Sequence, residues 1–424
     1  MRSYQVNEFD ILTTHKESTY GRYIEENDFH DLERFIYEYT ATEDVDAYSF
    51  LTPTARRGLN RTISVKNYVG LIQTPSAQFE ILPKIDMSDD VDTNKRIFLT
   101  MLRSMKEFNA KSFNLADLDI SKNSIYEIFI SMYLSEVKEL VKKGIRSAYI
   151  NVEENITAFM GKLLISQQLS QNLTHRERFY MSYDVFSTDR AENRLIKSTL
   201  IKLNGITRSM KSKQNIRLLL NSFENISESF NYEKDFALII NDRSMKAYEL
   251  ILMWSKIFLL DKSFSTFKGS ANSRALLFPM EKVFESYVAD MIKKQMNDWR
   301  VSTQDKGHYL FSEIWGEKQK NIFALRPDIV MTKGERRVIM DTKWKRLGPL
   351  LTNYGISQAD MYQMYAYGKK YNTSEIYLLY PGSNATDSMK DLTFDSLDNV
   401  KVKVFFIDLL NINDSIEALK TALV

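Results

Sequence analysis

Two short stretches in the last third of the chain place acidic and basic side chains where they could act together. Asp341 lies two residues before Lys343, and Asp328 lies on the stretch that precedes them. Side chains alternate along an extended strand, so Asp341 and Lys343 are predicted to project from one face and Thr342 from the other. A turn at 333–335 would fold the two stretches antiparallel and bring Asp328 beside Asp341. The spacing therefore predicts a pair of carboxylates with a neighbouring lysine.

Such a pair of carboxylates suits a divalent metal ion. Two carboxylates held close together repel each other and raise one pKa unless a cation lies between them. Mg²⁺, with Mn²⁺ as an alternative, binds through one or two carboxylates and keeps positions for water and phosphate oxygens. We therefore expect Asp328 and Asp341 to bind the metal, and Lys343 to orient the attacking water or screen charge while a phosphodiester is hydrolysed. Lys343 is not expected to be the general base, because a lysine pKa near ~10.4 would first have to fall far.

The elements around these residues decide whether they can meet. Periodicity and turn residues predict a helix, four strands, a helix and two further strands at about 279–299, 300–304, 308–314, 322–331, 337–343, 356–371, 375–380 and 400–407. This order predicts a mixed sheet between helices. Pro327 interrupts a strand that otherwise pairs well; such broken local rules concentrate at functional sites, although a proline on an edge strand would give the same pattern.

Earlier parts of the chain have different patterns. Residues 1–95 alternate like strands, with a hairpin predicted at 68–82. Residues 96–265 are mainly helical, and a Ser-rich stretch at 262–273 predicts the boundary to a third segment, 270–424. The expected fold class is α/β (mixed α+β): an N-terminal β-rich and helical region, followed by a C-terminal domain with a central mixed sheet flanked by helices.

Composition and missing motifs exclude several kinds of chemistry. The chain has 424 residues with 57 Lys or Arg and 55 Asp or Glu, so any basic surface must be local. It has no cysteine, which excludes disulfides, thiolate metal centres and cysteine nucleophiles and fits a reducing compartment. No complete phosphate-binding loop, HExxH, GxSxG or GxGxxG motif occurs, so the chain should not hydrolyse nucleotides itself. Neither a signal peptide nor a membrane span is evident, which predicts a cytoplasmic protein without a membrane partner.

The arrangement resembles the PD-(D/E)xK nuclease superfamily, with Pro327-Asp328 and Asp341-Thr342-Lys343 in the motif positions. Longer stretches are similar to the McrC-type nuclease subunits of modification-dependent McrBC restriction systems. They lie at 325–330, 340–345 and 360–367 in the C-terminal third, and at 67–72, 80–85 and 189–197 in the N-terminal half. Their co-occurrence is more specific than any single motif, although the family includes shorter chains.

The resemblance implies a Mg²⁺-dependent DNA endonuclease that does not choose its own target. In this family a partner AAA+ GTPase ring recognises DNA carrying 5-methylcytosine, while the nuclease subunit stimulates GTP hydrolysis and cuts double-stranded DNA. The resemblance also implies supporting catalytic roles for Glu285, on the helix before the strands, and Gln363, on the helix after them. It assigns 270–424 to the nuclease domain and 96–265 to partner docking, with candidates for a docking finger at 52–66 and 144–184.

The supporting residues also have ordinary structural interpretations. Glu285 could be a solvated helix residue. Asp360, Gln363 and Tyr367 follow at i, i+3 and i+7, and this stripe could face either the metal site or solvent. Similarly, the arginines of the docking candidates could belong to ordinary solvated loops.

Binding of DNA would require cations beside the carboxylates. The candidate DNA-contact residues are Lys345, Arg346 and Tyr367, with further basic residues just upstream at Lys318, Lys320 and Arg326. A charged end of a solvated strand would explain several of these residues equally well. We expect contacts to the DNA backbone and no direct reading of bases.

Two other functions stay open at the level of sequence. The chain could be a non-catalytic GTPase-activating scaffold with a vestigial nuclease domain, because the region before the nuclease domain is larger than a nuclease core requires. It could also be a stand-alone defence nuclease that cuts without a GTPase. Cutting of DNA with and without the partner separates the three.

Overall fold

The computed structural model describes residues 2–16, 21–42, 50–56, 60–85, 90–105, 123–240, 242–260, 274–315, 318–382, 384–389 and 391–423. The boundary expected at 262–273 lies outside the described residues, as do residues 57–59 of the docking candidate 52–66. Within the described ranges, every helix is too short or too polar to span a lipid bilayer.

The described ranges contain eleven α-helices. They are α1 (Glu26–Thr42), α2 (Val91–Leu102), α3 (Ile125–Lys143), α4 (Ile165–Gln171), α5 (Ala191–Ile206), α6 (Met210–Asn221), α7 (Tyr232–Ala237), α8 (Glu249–Leu260), α9 (Met280–Gln295), α10 (Gln358–Tyr371) and α11 (Ile412–Ala422). α9 begins directly after Pro279, which needs no hydrogen-bond donor at a helix start. α10 begins with a capping box formed by Ser357 and Asp360.

The same ranges contain nineteen strands. The first ten are β1 (Arg2–Asn7), β2 (Ile11–Thr13), β3 (Arg22–Tyr23), β4 (Leu51–Arg56), β5 (Asn60–Val65), β6 (Tyr68–Gln73), β7 (Ala77–Leu82), β8 (Ala148–Ile156), β9 (Lys162–Leu163) and β10 (Phe179–Ser187). The others are β11 (Arg274–Pro279), β12 (Arg300–Thr303), β13 (Tyr309–Trp315), β14 (Lys318–Ala324), β15 (Ile329–Lys333), β16 (Arg336–Thr342), β17 (Glu375–Pro381), β18 (Thr393–Asp395) and β19 (Lys401–Ile407). They form five sheets, ordered β1-β7-β6-β11, β3-β2-β5-β4, β8-β10-β9, β12-β15-β16-β17-β19-β18 and β13-β14.

Contacts divide the chain into two compact units. The larger unit comprises Met1–Ala110, Leu115–Ile125 and Ser263–Val424, and the smaller unit comprises Lys111–Asn114 and Tyr126–Lys262. The larger unit combines N-terminal and C-terminal segments of the chain. β11 of the C-terminal segment pairs antiparallel with β6 of the N-terminal sheet. The three segments predicted from the sequence are drawn differently from these units, and their boundaries at 1–95, 96–265 and 270–424 stay a prediction.

The six-stranded sheet of the larger unit carries the predicted site. β15 and β16 form the predicted antiparallel hairpin, in which Lys333 pairs with Arg336 across a two-residue turn. β16, β17 and β19 are parallel to one another. Buried apolar side chains of the sheet, such as Ile339, Ile376 and Leu378, pack with Met364 of α10 into one core. The expected mixed α+β class, with a central mixed sheet and helices, is confirmed.

One predicted strand is wrong. The stretch 322–331 was expected to be continuous, but β14 ends at Ala324, β15 begins at Ile329, and the two strands belong to different sheets. Pro327 lies in the break. Residues there form no ladder, so a residue without an N–H donor is tolerated. Asp328 therefore lies directly before β15, at the end of the break.

The N-terminal sheet depends on a close approach between two strands. The hairpin predicted at 68–82 is confirmed, because β6 and β7 pair antiparallel. Gly70 on β6 has a φ of +144°, and a Cβ atom there would lie 1.9 Å from the carbonyl oxygen of Leu276 on β11. A side chain at this position is therefore excluded both by the backbone conformation and by the neighbouring strand.

Gly70→Ala is expected to lower the free energy of unfolding by about 3 kcal/mol or more, because backbone must move to admit the methyl group. Gly205→Ala is the matched control. Gly205 lies inside α5 and a Cβ there would meet no atom within 4 Å, so this change should stabilise the protein by about 0.5–1 kcal/mol. Thermal or urea unfolding of both variants measures the difference. Equal stability of the two variants would contradict the packing described for β6 and β11.

The smaller unit contains most of α3, the helices α4–α8 and the three-stranded sheet. β8 and β10 pair antiparallel over nine residues each. Several large apolar side chains on and beside this sheet are exposed: Tyr149, Phe159, Ile165, Leu169, Leu173 and Phe186. Exposed apolar groups on this scale are typical of an interaction surface.

Candidate active site

Asp341 and Lys343 meet at the end of β16, as the strand alternation predicts. Lys343 Nζ lies 2.7 Å from Asp341 Oδ2. Asp341 is only 2% exposed. The lysine approaches from an angle that does not align a hydrogen bond, so this buried carboxylate oxygen accepts none. The carboxylate is balanced in charge but is not fully satisfied by the protein.

Asp328 lies directly before β15, opposite this end of β16. The ladder pairs Ile329 with Met340, so continuing it by one residue brings Asp328 to Asp341. Asp328 Oδ2 accepts hydrogen bonds of 2.7 Å from both the amide and the hydroxyl of Thr342. Thr342 is the last residue of β16. One carboxylate oxygen of Asp328 is thus fixed by the backbone of the neighbouring strand.

Glu285 is joined to Asp328 through Gln304. The side-chain amide of Gln304 donates to Glu285 Oε1 at 2.6 Å and to Asp328 Oδ1 at 3.3 Å. Gln304 follows β12 and has a φ of +52°. Its backbone amide donates to the backbone carbonyl of Asp328 at 3.0 Å. The structure therefore brings Glu285 of α9 into the cluster. Gln304 had no signal in the sequence, because its position depends on a backbone conformation that is uncommon for residues other than glycine.

α10 contributes the other wall of the cluster. Lys343 Nζ donates to Gln363 Oε1 at 3.2 Å, and Gln363 Nε2 donates to the hydroxyl of Tyr367 at 2.8 Å. Asp360 lies 3.8 Å from Lys343 and 2.6 Å from Lys345. The stripe of Asp360, Gln363 and Tyr367 therefore faces the carboxylates rather than solvent.

The electrostatics of the cluster follow from burial and like charges. Burial and the charge of Asp328 raise the pKa of Asp341 to about 7. Burial and Asp328 also raise the pKa of Glu285 to about 7. Burial raises the pKa of Asp328 against the lowering effect of the Thr342 donors. Burial lowers the pKa of Lys343, but Asp341 and the other carboxylates outweigh it and raise the pKa overall, so the ammonium stays charged.

The residues present fit a hard divalent cation. Within the described part of the chain, no set of three or more histidine, aspartate or glutamate side chains forms a ready-made metal centre. Mg²⁺ often binds proteins through only one or two carboxylates, and an oxygen donor set of Asp328 and Asp341 matches that preference. Asp341 Oδ2 is a buried oxygen that accepts no hydrogen bond, and a bound cation would share it with the ammonium of Lys343. Burial and the neighbouring charge of Asp328 raise the pKa of Asp341, and a bound cation would offset both effects.

The three residues expected to contact DNA each have a partner within the protein. Tyr367 is 1% exposed, so the expectation that it contacts DNA does not fit its position, and it supports Gln363 from inside. Lys345 forms the ion pair with Asp360. Arg346 donates to the carbonyl of Lys84 at 2.5 Å. Lys345 is partly exposed and Arg346 is exposed, so contact of these two residues with DNA stays a prediction.

The sequence model of the family described as "McrBC 5-methylcytosine restriction system component" matches residues 63–381. That range is about three quarters of the chain and includes all the residues of the cluster. The chain belongs to this McrBC family. No curated protein matches the chain in sequence.

Solved structures of McrBC assemblies share the fold. A chain in the refined half-complex from the tetradecameric assembly of Thermococcus gammatolerans McrB AAA+ hexamers with bound McrC matches with a TM-score of 0.72 and 16% identity, and each chain is covered completely. A chain in the cryo-EM structure of the Thermococcus gammatolerans McrBC complex matches with a TM-score of 0.53 and 17% identity, over 69% of this chain and 88% of that one. At these identities the similarity establishes the fold of this McrBC-family chain.

An N-terminal residue outside the matched range also supports the cluster. Glu8 is completely buried, and both its carboxylate oxygens accept from the indole Nε1 of Trp344, at 3.1 and 3.2 Å. Trp344 follows Lys343 directly, and its ring packs on Phe284, the neighbour of Glu285. The residue that follows β1 therefore supports the backbone that carries Lys343. A single acidic residue in a β-rich stretch gives no sign of this role in the sequence.

Glu8 is expected to make the stability of the protein fall as pH rises. Burial raises its pKa to about 8 from an ordinary value of 4.5, although the amide of Lys84 and the indole of Trp344 lower it in part. Between these two values the folded protein keeps a proton that the unfolded chain loses. The free energy of unfolding should therefore fall by up to about 1.4 kcal/mol per pH unit up to pH 8 and then level off.

Glu8→Gln removes this titration and should flatten the dependence. Urea unfolding at several pH values between about 5 and about 8 measures it, with the exposed Glu417→Gln as control. If wild type and Glu8→Gln show parallel curves, Glu8 does not titrate as described.

Proposed function

We propose that this McrBC-family chain is the Mg²⁺-dependent DNA endonuclease subunit of a restriction system that acts on DNA containing 5-methylcytosine, together with a partner AAA+ GTPase that it stimulates. The convergence of Asp328, Asp341 and Lys343 at one end of β15 and β16 is the observation that carries the proposal. Membership in a family of 5-methylcytosine restriction components supports the substrate class.

Asp328 and Asp341 are the residues that would hold the ion. When bound, Mg²⁺, or Mn²⁺ in its place, would polarise the phosphate and lower the pKa of a water molecule. Thr342 donates twice to Asp328 and fixes the direction of its carboxylate. Fixed ligands cost little reorganisation during the reaction, which is what electrostatic catalysis requires.

Lys343 supplies a permanent positive charge. Its ammonium group is held between Asp341 and Gln363, and its raised pKa keeps it protonated at neutral pH. A charged ammonium at this place can orient the attacking water and screen the negative charge that grows on the phosphate. It cannot accept the proton of the water, which agrees with the sequence-based expectation that it is not the general base.

Glu285 and Gln363 have supporting roles. Gln304 donates to both Glu285 and Asp328. Through Gln304, Glu285 therefore helps to position Oδ1 of Asp328. Gln363 accepts from Lys343 and is itself held by the buried Tyr367. Both residues act by holding the groups that carry the chemistry.

The partner is proposed from similarity and from an exposed surface. The Thermococcus structures contain McrC bound to McrB AAA+ hexamers and a McrBC complex. Exposed apolar side chains on and beside the three-stranded sheet of the smaller unit support docking through 144–184, one of the two candidate finger segments. Absence of cysteine from the whole chain supports a reducing, cytoplasmic setting.

Reconstitution tests the proposal. The chain is combined with an AAA+ GTPase from its own genomic neighbourhood, and cleavage of methylated and unmethylated duplex is measured with GTP, with and without Mg²⁺. We expect cutting only with methylated DNA, partner, GTP and Mg²⁺ together. Stimulated GTP hydrolysis without cutting would instead identify a scaffold, and cutting without the partner would identify a stand-alone nuclease.

A further inference from the structure

β13 and β14 form an exposed two-stranded ribbon, residues 309–315 and 318–324. The ribbon pairs with no other sheet among the described residues. Trp315 is 82% exposed, Phe323 66% and Phe311 61%. A two-stranded ribbon with so little buried surface adds little stability by itself, and exposed aromatic side chains in a cluster are typical of a binding surface.

The base of the ribbon is fixed at the candidate active site. The ribbon occupies the chain between Gln304 and Asp328, and the amide of Gln304 donates to the carbonyl of Asp328 at 3.0 Å. Directly before β13 and directly after β14, the backbone amide of Leu325 donates to the carbonyl of His308 at 2.9 Å. The ring of His308 stacks on Tyr371 of α10, with centroids 3.9 Å apart. The ribbon therefore starts from the cluster itself and is anchored on α10.

One face of the ribbon combines aromatic and basic side chains. Directly opposite residues share a face, and the register pairs Trp315 with Lys318 and Glu313 with Lys320. Phe311 lies on the same face, opposite Ile322. Both lysines are exposed. Lysine next to aromatic rings is the combination that binds phosphates and stacks on bases or sugars.

The position of the ribbon favours one occupant. A strand of seven residues reaches roughly 23 Å, which is comparable to the width of a DNA duplex. A two-stranded ribbon fits the major groove of DNA. The base of the ribbon lies beside Asp328, so a duplex with one phosphate at Asp328 and Asp341 would lie next to that base.

We propose that the ribbon is a DNA-binding arm that lies in a groove of the duplex next to the phosphate to be cut. Lys318 and Lys320 bind phosphates, and Trp315 with Phe311 packs against sugars or bases. This inference rests on the proposed function, since it takes the cluster as the place of cleavage. It assigns the main DNA contact to the ribbon rather than to Lys345, Arg346 and Tyr367.

Binding of a labelled duplex to the full chain tests the arm directly. Fluorescence anisotropy is measured in EDTA, which prevents metal-dependent cutting, over a series of salt concentrations. Lys318→Ala/Lys320→Ala should weaken binding roughly tenfold and reduce the slope of log affinity against log salt by about 2. Trp315→Ala should weaken binding roughly tenfold with little change in slope, because it removes stacking rather than charge.

Lys401→Ala/Lys420→Ala is the matched control, because it removes the same charge from lysines elsewhere on the larger unit. It should bind DNA like the wild type. Unchanged affinity in both ribbon variants would overturn the arm, and so would a wild-type chain that does not bind the duplex at low salt. A change of oligomeric state in Trp315→Ala, measured by light scattering, with unchanged DNA affinity would show that the ribbon binds a second copy and would also overturn it.

Comparing the ribbon variants with Asp341→Asn separates this inference from the proposed function. If Asp341→Asn in the full complex still cuts DNA, the proposed catalytic site is wrong. If the ribbon variants bind and cut DNA normally while Asp341→Asn is inactive, only the arm is wrong.

Discussion

Asp341→Asn is expected to reduce DNA cutting by the reconstituted complex by a factor of about 10²–10³ or more. The substitution keeps the shape of the side chain but removes the charge that, with Asp328, would hold the ion. Asp341 Oδ2 is buried and accepts no hydrogen bond, and the ammonium of Lys343, 2.7 Å away, is the group that competes with a cation for it. The measurement is the rate of cleavage of a methylated duplex with partner, GTP and Mg²⁺.

A second readout separates metal binding from folding. Mg²⁺ should raise the melting temperature of the wild type by mass action, and this rise should be lost in Asp341→Asn. Asp395→Asn makes the same chemical change on β18, where the exposed Asp395 pairs only weakly with Lys401 at 3.4 Å, and should cut normally. Retained stimulation of GTP hydrolysis by Asp341→Asn would show that the variant is folded. Wild-type cutting by that variant would contradict the site.

Lys343→Met should lower cutting by about 10²-fold while leaving the metal site intact. Methionine keeps an unbranched stem of similar length but removes the charge held between Asp341 and Gln363. The variant should still show the Mg²⁺-dependent rise in melting temperature, because the ammonium no longer competes for Asp341. Cleavage and melting, measured side by side, therefore distinguish the role of the lysine from that of the carboxylates.

Two further substitutions test whether the effect of Lys343→Met comes from the lost charge at this position. Lys343→Arg keeps the charge but carries it on a wider planar group, so we expect activity between that of the wild type and that of Lys343→Met. Lys333→Met changes an exposed lysine at the end of β15, paired with Asp298, and should have no effect on cutting. Full activity in Lys343→Met would remove the lysine from the mechanism.

The part of the site that lies on one hairpin could be predicted from the sequence. Asp341 and Lys343 share a face because strand alternation is local, and Asp328 reaches Asp341 because Gly334 and its neighbours close a two-residue turn. Glu285 and Gln363 entered through their resemblance to a family motif rather than through any local rule. Their contacts with Gln304 and Lys343 depend on how α9 and α10 pack on the sheet.

The break between β14 and β15 shows where local patterns fail. Alternation in 322–331 is compatible with one strand, and only the different sheet partners of β14 and β15 separate it into two. Tyr367 gives a similar lesson. A tyrosine on a polar helical stripe suggests a surface contact, but the packing of α10 buries it.

The sequence by itself determined the mixed fold class, the carboxylate–lysine hairpin and the exclusion of thiol and nucleotide-loop chemistry, because these follow from residue identity and from periods of a few residues. Only the tertiary structure decided that Gln304 links Glu285 to Asp328, that Glu8 supports Trp344, and that an exposed ribbon starts at the site. Glu8 and Trp344 are separated by more than three hundred residues. Such contacts are fixed by the packing of whole sheets and helices, and that packing leaves no periodic signal in the chain.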